Sequence, residues 1–267
     1  MTFYKSAWAL AVALLWLPVQ AQTAAPEAAP ASAPVAVKAP PQDAKCMECH
    51  DDIFDEKVIH VALEKGCTTC HTQLDASKRP HKSNGPQPRG LKAKVTELCL
   101  SCHEKEGVKK TSNHKALEKN CTVCHDPHST SQKKLLKSAI PELCFGCHEK
   151  KNFAGQIAHS AVKGAKCASC HLPHASDNAV LLKKTPADTC LDCHDDIKEA
   201  PHVIAGFSGK GHPLGDEAHT TPVENPLRAG RPFFCGSCHD PHKGDFPKLL
   251  RQDPKLGMLV CQTCHQK

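Results

Sequence analysis

Apolar residues form one long run near the amino terminus and are otherwise scattered in short clusters. The long run covers residues 7–17, AWALAVALLWL, and no later apolar run is long enough to cross a membrane as a helix. Two later segments, HVALEKG (60–66) and HKALEKN (114–120), have the composition of short helices that end at Gly66 and Asn120. Pro, Gly and charged residues interrupt the other segments. The pattern predicts a mostly irregular chain with short α-helices, long ordered loops and little or no β-sheet.

The amino-terminal run has the features of a signal peptide. Lys5 supplies a basic region, the apolar run follows, and a VQA sequence offers a cleavage site after Ala21. No cysteine lies near that site to carry a lipid. We therefore predict a signal peptide at 1–21, an extended Ala- and Pro-rich linker at 22–44, and one domain at 45–267. The mature chain is expected to be exported.

The 18 cysteines follow a single rule. Every cysteine belongs to a CxxC pair that is followed directly by a histidine, and none is left over. In chain order, motifs 1 to 9 are Cys46-Cys49-His50, Cys67-Cys70-His71, Cys99-Cys102-His103, Cys121-Cys124-His125, Cys144-Cys147-His148, Cys167-Cys170-His171, Cys190-Cys193-His194, Cys235-Cys238-His239 and Cys261-Cys264-His265.

The CxxCH motif is the attachment sequence of c-type haem. The two thiols form thioethers with the haem vinyl groups, and the histidine becomes the proximal ligand of the iron. Structural zinc is the alternative, but zinc uses thiolates and usually needs a second CxxC or two histidines to complete a tetrahedron. Zinc gives no reason for a histidine after every pair. The motifs therefore predict nine covalently attached c-type haems, which bacteria attach outside the cytoplasm.

Two kinds of motif alternate along the chain. Charged or polar residues follow the odd-numbered motifs, whereas a Pro-His pair follows motifs 2, 4, 6 and 8. The pair comes at once in CHDPH and CHLPH, and after an insertion in motif 2, CHTQLDASKRPH. A leucine-containing basic segment, such as KKLLKSAIPELC, then leads to the next odd motif. The doubled unit repeats about every 45 residues, which predicts an array whose units depend on their neighbours for burial.

Nine of the 19 histidines belong to the motifs, which leaves ten as candidates for the opposite, distal side of the irons. Methionine is the usual alternative ligand, but the mature chain keeps only Met47 and Met258, and Met47 lies inside motif 1, where it does not reach over its own haem. We therefore predict two histidine ligands for all nine irons. His219 has no counterpart in the repeat and is the predicted spare. The predicted distal ligands are His60, His81, His114, His128, His159, His174, His202, His212 and His242.

His128 follows the proximal His125 by three residues, in CHDPH. So short a segment does not reach around a porphyrin to its opposite face. His128 is therefore predicted to ligate a neighbouring haem, and Pro127 restricts the segment that joins the two histidines.

The composition agrees with an interior that is filled by haem. Trp8, Trp16 and Tyr4 all lie in the predicted signal peptide, so the mature chain has no Trp or Tyr with which to build a core. The formal charge of +6 would suit a nucleic-acid partner, but ionised haem propionates would cancel or reverse it. We predict no binding to nucleic acid, since the mature chain also lacks the aromatic residues on which bases stack.

These motifs resemble those of the multihaem c-type cytochromes with doubled CxxCH motifs, and the resemblance covers residues 45–267. Some members of that group are periplasmic cytochromes lodged in outer-membrane porins of metal-respiring bacteria. The decahaem type has ten motifs, whereas this chain has nine. The resemblance implies an array of short helices around a haem core, located in the periplasm, at the outer membrane or outside the cell. The partners it implies are other cytochromes, a quinol-linked donor and, for the lodged type, a porin.

Three functions are compatible with such an array. The first is a conduit that passes electrons along nine haems in anaerobic or metal-linked respiration. The second is a multihaem reductase, which needs an iron with an open position, often marked by a variant motif such as CxxCK. All nine motifs are regular and the histidines suffice to close every iron, so we predict an electron carrier and no enzyme. The third is a subunit of an extracellular cytochrome filament, which would depend on its end-to-end surfaces.

Overall fold

The computed structural model of the chain describes residues 41–103, 107–198 and 234–254, together with Gln262. Motifs 1 to 8 and seven of the nine predicted distal histidines lie within these ranges. The predicted signal peptide and most of the predicted linker lie outside them. Also outside the described residues are His202, His212, His219 and motif 9, Cys261-Cys264-His265.

Short helices separated by irregular segments make up the described chain, which confirms the predicted fold class. The longest α-helices have six residues, and no described helix has both the length and the apolar character needed to cross a bilayer. The α-helices are α1 (Ala44–Met47), α2 (Val95–Leu100), α3 (Glu142–Phe145), α4 (Ser160–Lys163), α5 (Cys167–Cys170), α6 (Pro186–Leu191) and α7 (Cys235–Cys238). The 3₁₀ helices are Pro41–Asp43, Asp51–Phe54, Val61–Lys65, Cys67–Thr69, Pro88–Gly90, Lys115–Glu118, Cys121–Val123, Lys133–Leu135, Lys150–Asn152, Ala179–Leu181, Asp195–Lys198 and Pro247–Leu249.

The two helices predicted after His60 and His114 are present, but as 3₁₀ helices, Val61–Lys65 and Lys115–Glu118. The tighter 3₁₀ form is common in short connecting segments such as these. Gly66 ends the first of them with φ at 98°, a conformation that glycine adopts without a steric penalty.

Polar side chains begin two of the short helices that carry cysteines. The Thr122 N–H donates to Asn120 Oδ1 at 2.9 Å, so Asn120 caps the helix of motif 4. We had expected Asn120 to end the preceding helix; its side chain begins the following one instead. In motif 2 the Cys67 N–H donates to Oδ2 of Asp43 at 2.8 Å, and Asp43 is only 1% exposed.

Four antiparallel pairs of two-residue strands account for the sheet in the described ranges. One pair forms a hairpin inside the insertion of motif 2, β2 (Leu74–Asp75) with β3 (Lys82–Ser83). In the other three, a strand that precedes the link to an even motif pairs with a strand that follows the Pro-His of the next even motif. These pairs are β1 (Val58–Ile59) with β5 (Ser129–Thr130), β4 (Ser112–Asn113) with β7 (Ala175–Ser176), and β6 (Ile157–Ala158) with β8 (Lys243–Gly244). The repeats are therefore interlocked, because each unit pairs with the unit that follows it.

Buried hydroxyl groups tie two of these strands to the leucine-containing segments. Thr130 Oγ1 donates to the Leu136 carbonyl at 2.8 Å, and the Ser176 hydroxyl donates to the Leu182 carbonyl. Both hydroxyl residues are buried, so these bonds satisfy polar groups that water does not reach. They fix each Pro-His strand against the segment that follows it.

The described residues contain almost no hydrophobic core. Ala175 and Ala187, each 3% exposed, are the only buried apolar residues in these ranges. The other buried positions are three glycines and four polar residues, namely Gly66, Gly90, Gly236, Asp43, Thr130, Ser176 and Ser237. Small apolar cores rarely offset the conformational entropy that folding costs, so the fold must depend on the groups that the chain binds.

We expect the chain without haem to be unfolded, because two buried alanines cannot replace a core. Calorimetry and circular dichroism of chain produced without haem attachment should show no cooperative thermal transition. The haem-loaded chain, prepared in parallel, should show one. A cooperative transition in the haem-free chain would contradict this view of the fold.

Candidate functional site

Each described motif is a helical turn that presents its two thiols and its histidine together. In motifs 1 to 8 the histidine N–H donates to the carbonyl of the first cysteine of the motif, at 2.9–3.1 Å. None of the sixteen cysteines of these motifs forms a disulfide bond. Each turn therefore offers what thioether attachment requires, two thiols at fixed spacing with an imidazole directly after them.

Seven of the eight described proximal histidines face a predicted distal histidine across a gap. The two ring centroids lie 5.9–6.2 Å apart. A metal ion and an imidazole nitrogen are bonded at about 2 Å, and the ring centroid lies about 1 Å farther on, so two imidazoles on one iron have centroids about 6 Å apart. The spacing fits one iron between each pair. The pairs are His50–His81, His71–His128, His103–His60, His125–His174, His148–His114, His171–His242 and His194–His159.

The pairs follow a rule that depends on whether the motif is even or odd. An even motif faces the Pro-His of the next even motif, as His71 faces His128. Motifs 3, 5 and 7 each face the link histidine that precedes the even motif before them, as His103 faces His60. The ring of His128 thus lies opposite His71 and not opposite His125, the proximal histidine of its own motif.

Each of the three long-range strand pairs holds two of the predicted distal histidines side by side. The His60 N–H donates to the His128 carbonyl at 2.8 Å, and these residues face the proximal histidines of motifs 3 and 2. The same bond joins His114 to His174 at 2.8 Å and His159 to His242 at 3.1 Å. One short ladder therefore fixes the distal ligands of two consecutive motifs relative to each other.

Motif 1 obtains its facing histidine from the insertion in motif 2. No link histidine precedes motif 1 at the position that serves the later odd motifs. The β2–β3 hairpin brings His81 opposite His50, at 6.1 Å between ring centroids. The His81 Nδ1–H donates to the Lys78 carbonyl at 2.8 Å and holds the ring in place. The insertion thus gives motif 1 the facing histidine that a preceding link gives to motifs 3, 5 and 7.

The thiols of consecutive motifs lie close enough to interact. The first cysteines of motifs 1 and 2, Cys46 and Cys67, interact, as do the second cysteines of motifs 2 and 3, Cys70 and Cys102. First and second cysteines continue to alternate in the pairs Cys99–Cys121, Cys124–Cys147, Cys144–Cys167, Cys170–Cys193 and Cys190–Cys235. The order of the motifs in space therefore follows their order in the sequence, from motif 1 to motif 8.

Burial dominates the electrostatic surroundings of several thiols. It raises the pKa of Cys67 and of Cys99 to about 11, and the neighbouring Asp43 and Cys121 add to these shifts. A raised pKa keeps these thiols protonated. Cys190 of motif 7 and Cys235 of motif 8 share a hydrogen bond that acts in opposite directions on the two thiols. It raises the pKa of Cys190 and lowers the pKa of Cys235 to about 7.

One group in the described ranges has the composition of a metal site. Potential ligand atoms of Asp43, Cys46 and Cys67 lie within 4.8 Å of one another. The Asp43 carboxylate already accepts the Cys67 N–H, and the two thiols belong to different CxxCH motifs. Three ligands are one fewer than structural zinc normally takes, so the group is better explained as the meeting point of motifs 1 and 2.

Four tight turns, the left-handed turns, follow the even motifs and orient their proximal histidines. Equivalent residues in these turns have φ between 49° and 59°, and each of their carbonyls accepts the Nδ1–H of the proximal histidine at 2.7–3.0 Å. Such a bond leaves Nε2 free for the iron and strengthens the imidazole as a donor. The histidine–acceptor pairs are His71–Arg89, His125–Lys134, His171–Val180 and His239–Lys248.

The left-handed turns lie in the leucine-containing basic segments that recur in the sequence. The segments are evident in the sequence, but no residue pattern marks their carbonyls as partners of the proximal histidines. Apart from Arg89–Gly90, both central positions of each turn hold non-glycine residues with positive φ, such as Lys134 and Leu135. That conformation costs about 1–2 kcal/mol per residue. In each turn, a residue that adopts it supplies the carbonyl that orients a proximal histidine. The one signal in the sequence was the repetition of the segment after every even motif.

Aspartates shape two of the Pro-His segments. Asp126 Oδ1 accepts the His128 N–H at 2.9 Å, and Asp240 Oδ1 accepts the His242 N–H at 3.0 Å. These are local turns of the kind that Asp favours, and they explain the Asp in CHDPH. Burial lowers the pKa of His128 and of His242, which favours the neutral imidazole that binds a metal.

Comparison with known proteins supports the repeat that the geometry shows. The family model described as "Doubled CXXCH motif" matches the chain four times, at residues 60–108, 114–153, 159–199 and 225–267. Together these ranges cover more than half of the chain, and they contain motifs 2 to 9. No curated protein matches the sequence.

The strain in the left-handed turns predicts an unusual response to glycine. Lys134→Gly should relieve a φ of 59°, whereas the control Lys133→Gly, one residue earlier, gains nothing and loses backbone entropy in full. The free energy of unfolding of Lys134→Gly should exceed that of Lys133→Gly by about 1–2 kcal/mol. Guanidinium unfolding of the haem-loaded variants, followed by haem absorbance, measures this difference. Equal destabilisation by the two glycines would show that the turn is not strained.

Proposed function

The chain belongs to the doubled CXXCH motif family of multihaem c-type cytochromes, and we propose that it is an electron-transfer protein with nine bis-histidine haems. The matched ranges account for motifs 2 to 9. Motif 1 has the same helical turn and its own facing pair, His50 and His81, which supports counting it as a ninth site.

In this proposal the two cysteines of each motif anchor one haem, and each facing histidine pair supplies its axial ligands. The bound haem iron takes up and releases one electron. The chain orients the imidazoles through backbone acceptors and keeps them neutral by burial, as at His128 and His242. Ligation by two histidines lacks the methionine that raises reduction potentials, so we expect low potentials.

Motifs 8 and 9 obtain their distal ligands from the long insertion between motifs 7 and 8. The rule for even motifs assigns no distal histidine to motif 8 from among the nine motifs of the sequence, so its proposed ligand comes from another segment. The insertion contains three histidines for two irons. His202 and His212 remain the proposed ligands, and His219 remains the proposed spare.

The observation that carries the proposal is that the thiols of consecutive motifs lie near one another. Interacting thiols connect motif 1 to motif 8 without a break, and the short ladders hold neighbouring distal histidines on adjacent strands. A chain that only stored electrons would need no such order. Attachment sites in an unbroken sequence favour the passage of electrons from one end to the other.

The setting that we propose is anaerobic or metal-linked respiration outside the cytoplasm. The signal-peptide features of residues 1–21 and the requirement of c-type haem attachment support export. The protein would work in the periplasm, at the outer membrane or outside the cell. Its proposed partners are other redox cytochromes or a quinol-linked donor, and an outer-membrane porin if it serves as a transmembrane conduit.

The proposal predicts nine electrons per chain and no catalytic turnover. A haemochrome assay combined with intact mass should give nine covalent haems, and oxidative titration of the reduced protein should release nine electrons. Nitrite and hydroxylamine should not be reduced at a steady rate, because every iron carries two histidines. Sustained turnover would favour a multihaem reductase. Ordered polymers of the purified protein under the electron microscope would favour the filament subunit.

His128→Ala should open the iron of motif 2 and leave the iron of motif 4 closed. The structure motivates this because the ring of His128 faces His71, while His125 faces His174. Electron paramagnetic resonance of the oxidised protein should show one new high-spin signal. The signal should persist when the haem of motif 4 is also removed by Cys121→Ala and Cys124→Ala.

Two controls make this test decisive. The variant that lacks the haem of motif 4 must remain folded, because that haem is also part of the core. Its freed distal ligand, His174, could capture the open iron, so His174→Ala is added to the same background. Disappearance of the high-spin signal together with the haem of motif 4 would assign His128 to its own motif and contradict the pairing.

A further inference from the structure

Six of the seven facing pairs contain a hydrogen bond from a histidine Nδ1–H to a backbone carbonyl. In even motifs the proximal histidine donates, and in odd motifs the distal one does, so the bond changes sides from one motif to the next. The donors and acceptors in motifs 1 to 6 are His81 to Lys78, His71 to Arg89, His60 to Pro127, His125 to Lys134, His114 to Pro173 and His171 to Val180.

The pair of motif 7, His194 with His159, departs from this rule. Among the described residues, neither histidine donates its Nδ1–H to a carbonyl. His159 Nδ1 instead accepts the backbone N–H of Ala161 at 3.3 Å. The two rings are also inclined at 62°, whereas the other six facing pairs lie between 17° and 45°.

The length of the link before motif 6 explains the departure. His159 lies eight positions before the first cysteine of the motif that follows it, whereas His60 and His114 each lie seven positions before theirs. The extra residue allows a turn of α-helix, Ser160–Lys163, where the other two links form 3₁₀ helices. The N–H of the second residue of this helix then points at Nδ1 of the histidine that precedes it.

This contact opposes the form of His159 that binds iron. Ligation through Nε2 leaves the proton on Nδ1, and that proton would face the N–H of Ala161, so that two donors meet without an acceptor. In the other pairs the carbonyl acceptor stabilises the same proton and makes the imidazole a stronger ligand. Loss of such a partner typically weakens a histidine–metal bond about 10-fold to 100-fold.

We propose that His159 is the most readily displaced of the seven facing distal ligands, and that motif 7 is therefore the first of these sites in the reduced protein to bind a small neutral diatomic ligand such as carbon monoxide. With the haem held by Cys190, Cys193 and His194, the ligand would take the place of Nε2 of His159: one bond would break as another formed, and no electron would be transferred. The inference rests on the proposed attachment of haem to Cys190 and Cys193 with ligation by His194.

The experiment removes the opposing donor without changing His159. Ala161→Pro deletes the N–H at a first-turn position of the helix, where that group has no partner within the helix and where proline is tolerated. Ala116→Pro is the matched control, because Ala116 occupies the same place after His114, whose Nδ1–H is bound to Pro173. The reduced, haem-loaded proteins are mixed rapidly with carbon monoxide, and the amplitudes and rates of binding are measured.

We expect the native protein to show a slow phase that corresponds to one haem and is limited by loss of His159. Ala161→Pro should slow this phase about 10-fold, whereas Ala116→Pro should leave it unchanged. His159→Ala should convert the slow phase into a fast one of the same amplitude, which identifies the iron even if a proline variant folds poorly.

Three outcomes would overturn the inference. The native protein could bind no carbon monoxide at any iron, both proline variants could change the phase equally, or His159→Ala could add a fast phase while the slow one remains. The haem content and low-spin spectrum of each sample are measured first. A shortfall there would contradict the proposed function, whereas normal values followed by any of the three outcomes would contradict this inference alone.

Discussion

The fold depends on the need to bring two imidazoles to opposite faces of one flat group, about 6 Å apart between ring centroids. A histidine three residues from the proximal one does not reach the far side, so each distal ligand must come from elsewhere in the chain. In the described ranges the distance along the sequence varies from 31 residues between His50 and His81 to 71 between His171 and His242. In the proposed ligation each histidine pair closes a long loop, and the bonds to the iron would offset the entropy lost in closing it.

The interlocking of the repeats follows from the same constraint. Because motifs 2, 4 and 6 each face the Pro-His histidine of the next even motif, none of these doubled units is complete alone, and the units overlap along the chain. The two-residue ladders, such as β1 with β5, are too small to be stable as sheets, and their role is to fix neighbouring distal histidines side by side. With two buried alanines as its apolar core in the described ranges, the chain relies on these overlaps and on the haems for its stability.

Local features of the fold could be predicted from the sequence, and long-range ones could not. The CxxCH spacing is local chemistry, so the motifs were evident, and the interruption by Pro and Gly correctly predicted short helices with little sheet. The pairing of His71 with His128 depends on contacts between strands β1 and β5. Strands of two residues are too short to show the alternation of apolar residues by which a strand is predicted from sequence. Backbone carbonyl partners such as that of Lys134 were likewise missed, because a carbonyl leaves no signature in residue identity. The insertion of motif 2 is evident in the sequence, but only the structure shows that it brings His81 opposite His50.

The most direct test of this account is to locate the irons in crystals of the haem-loaded protein by anomalous scattering at the iron absorption edge. The account predicts one iron between the two rings of each facing pair, with the irons of motifs 1 to 8 adjacent in the order of the sequence. The iron of motif 2 should lie between His71 and His128. An iron held between His128 and His125, or consecutive motifs whose irons are not neighbours, would contradict the pairing and the order of the array together.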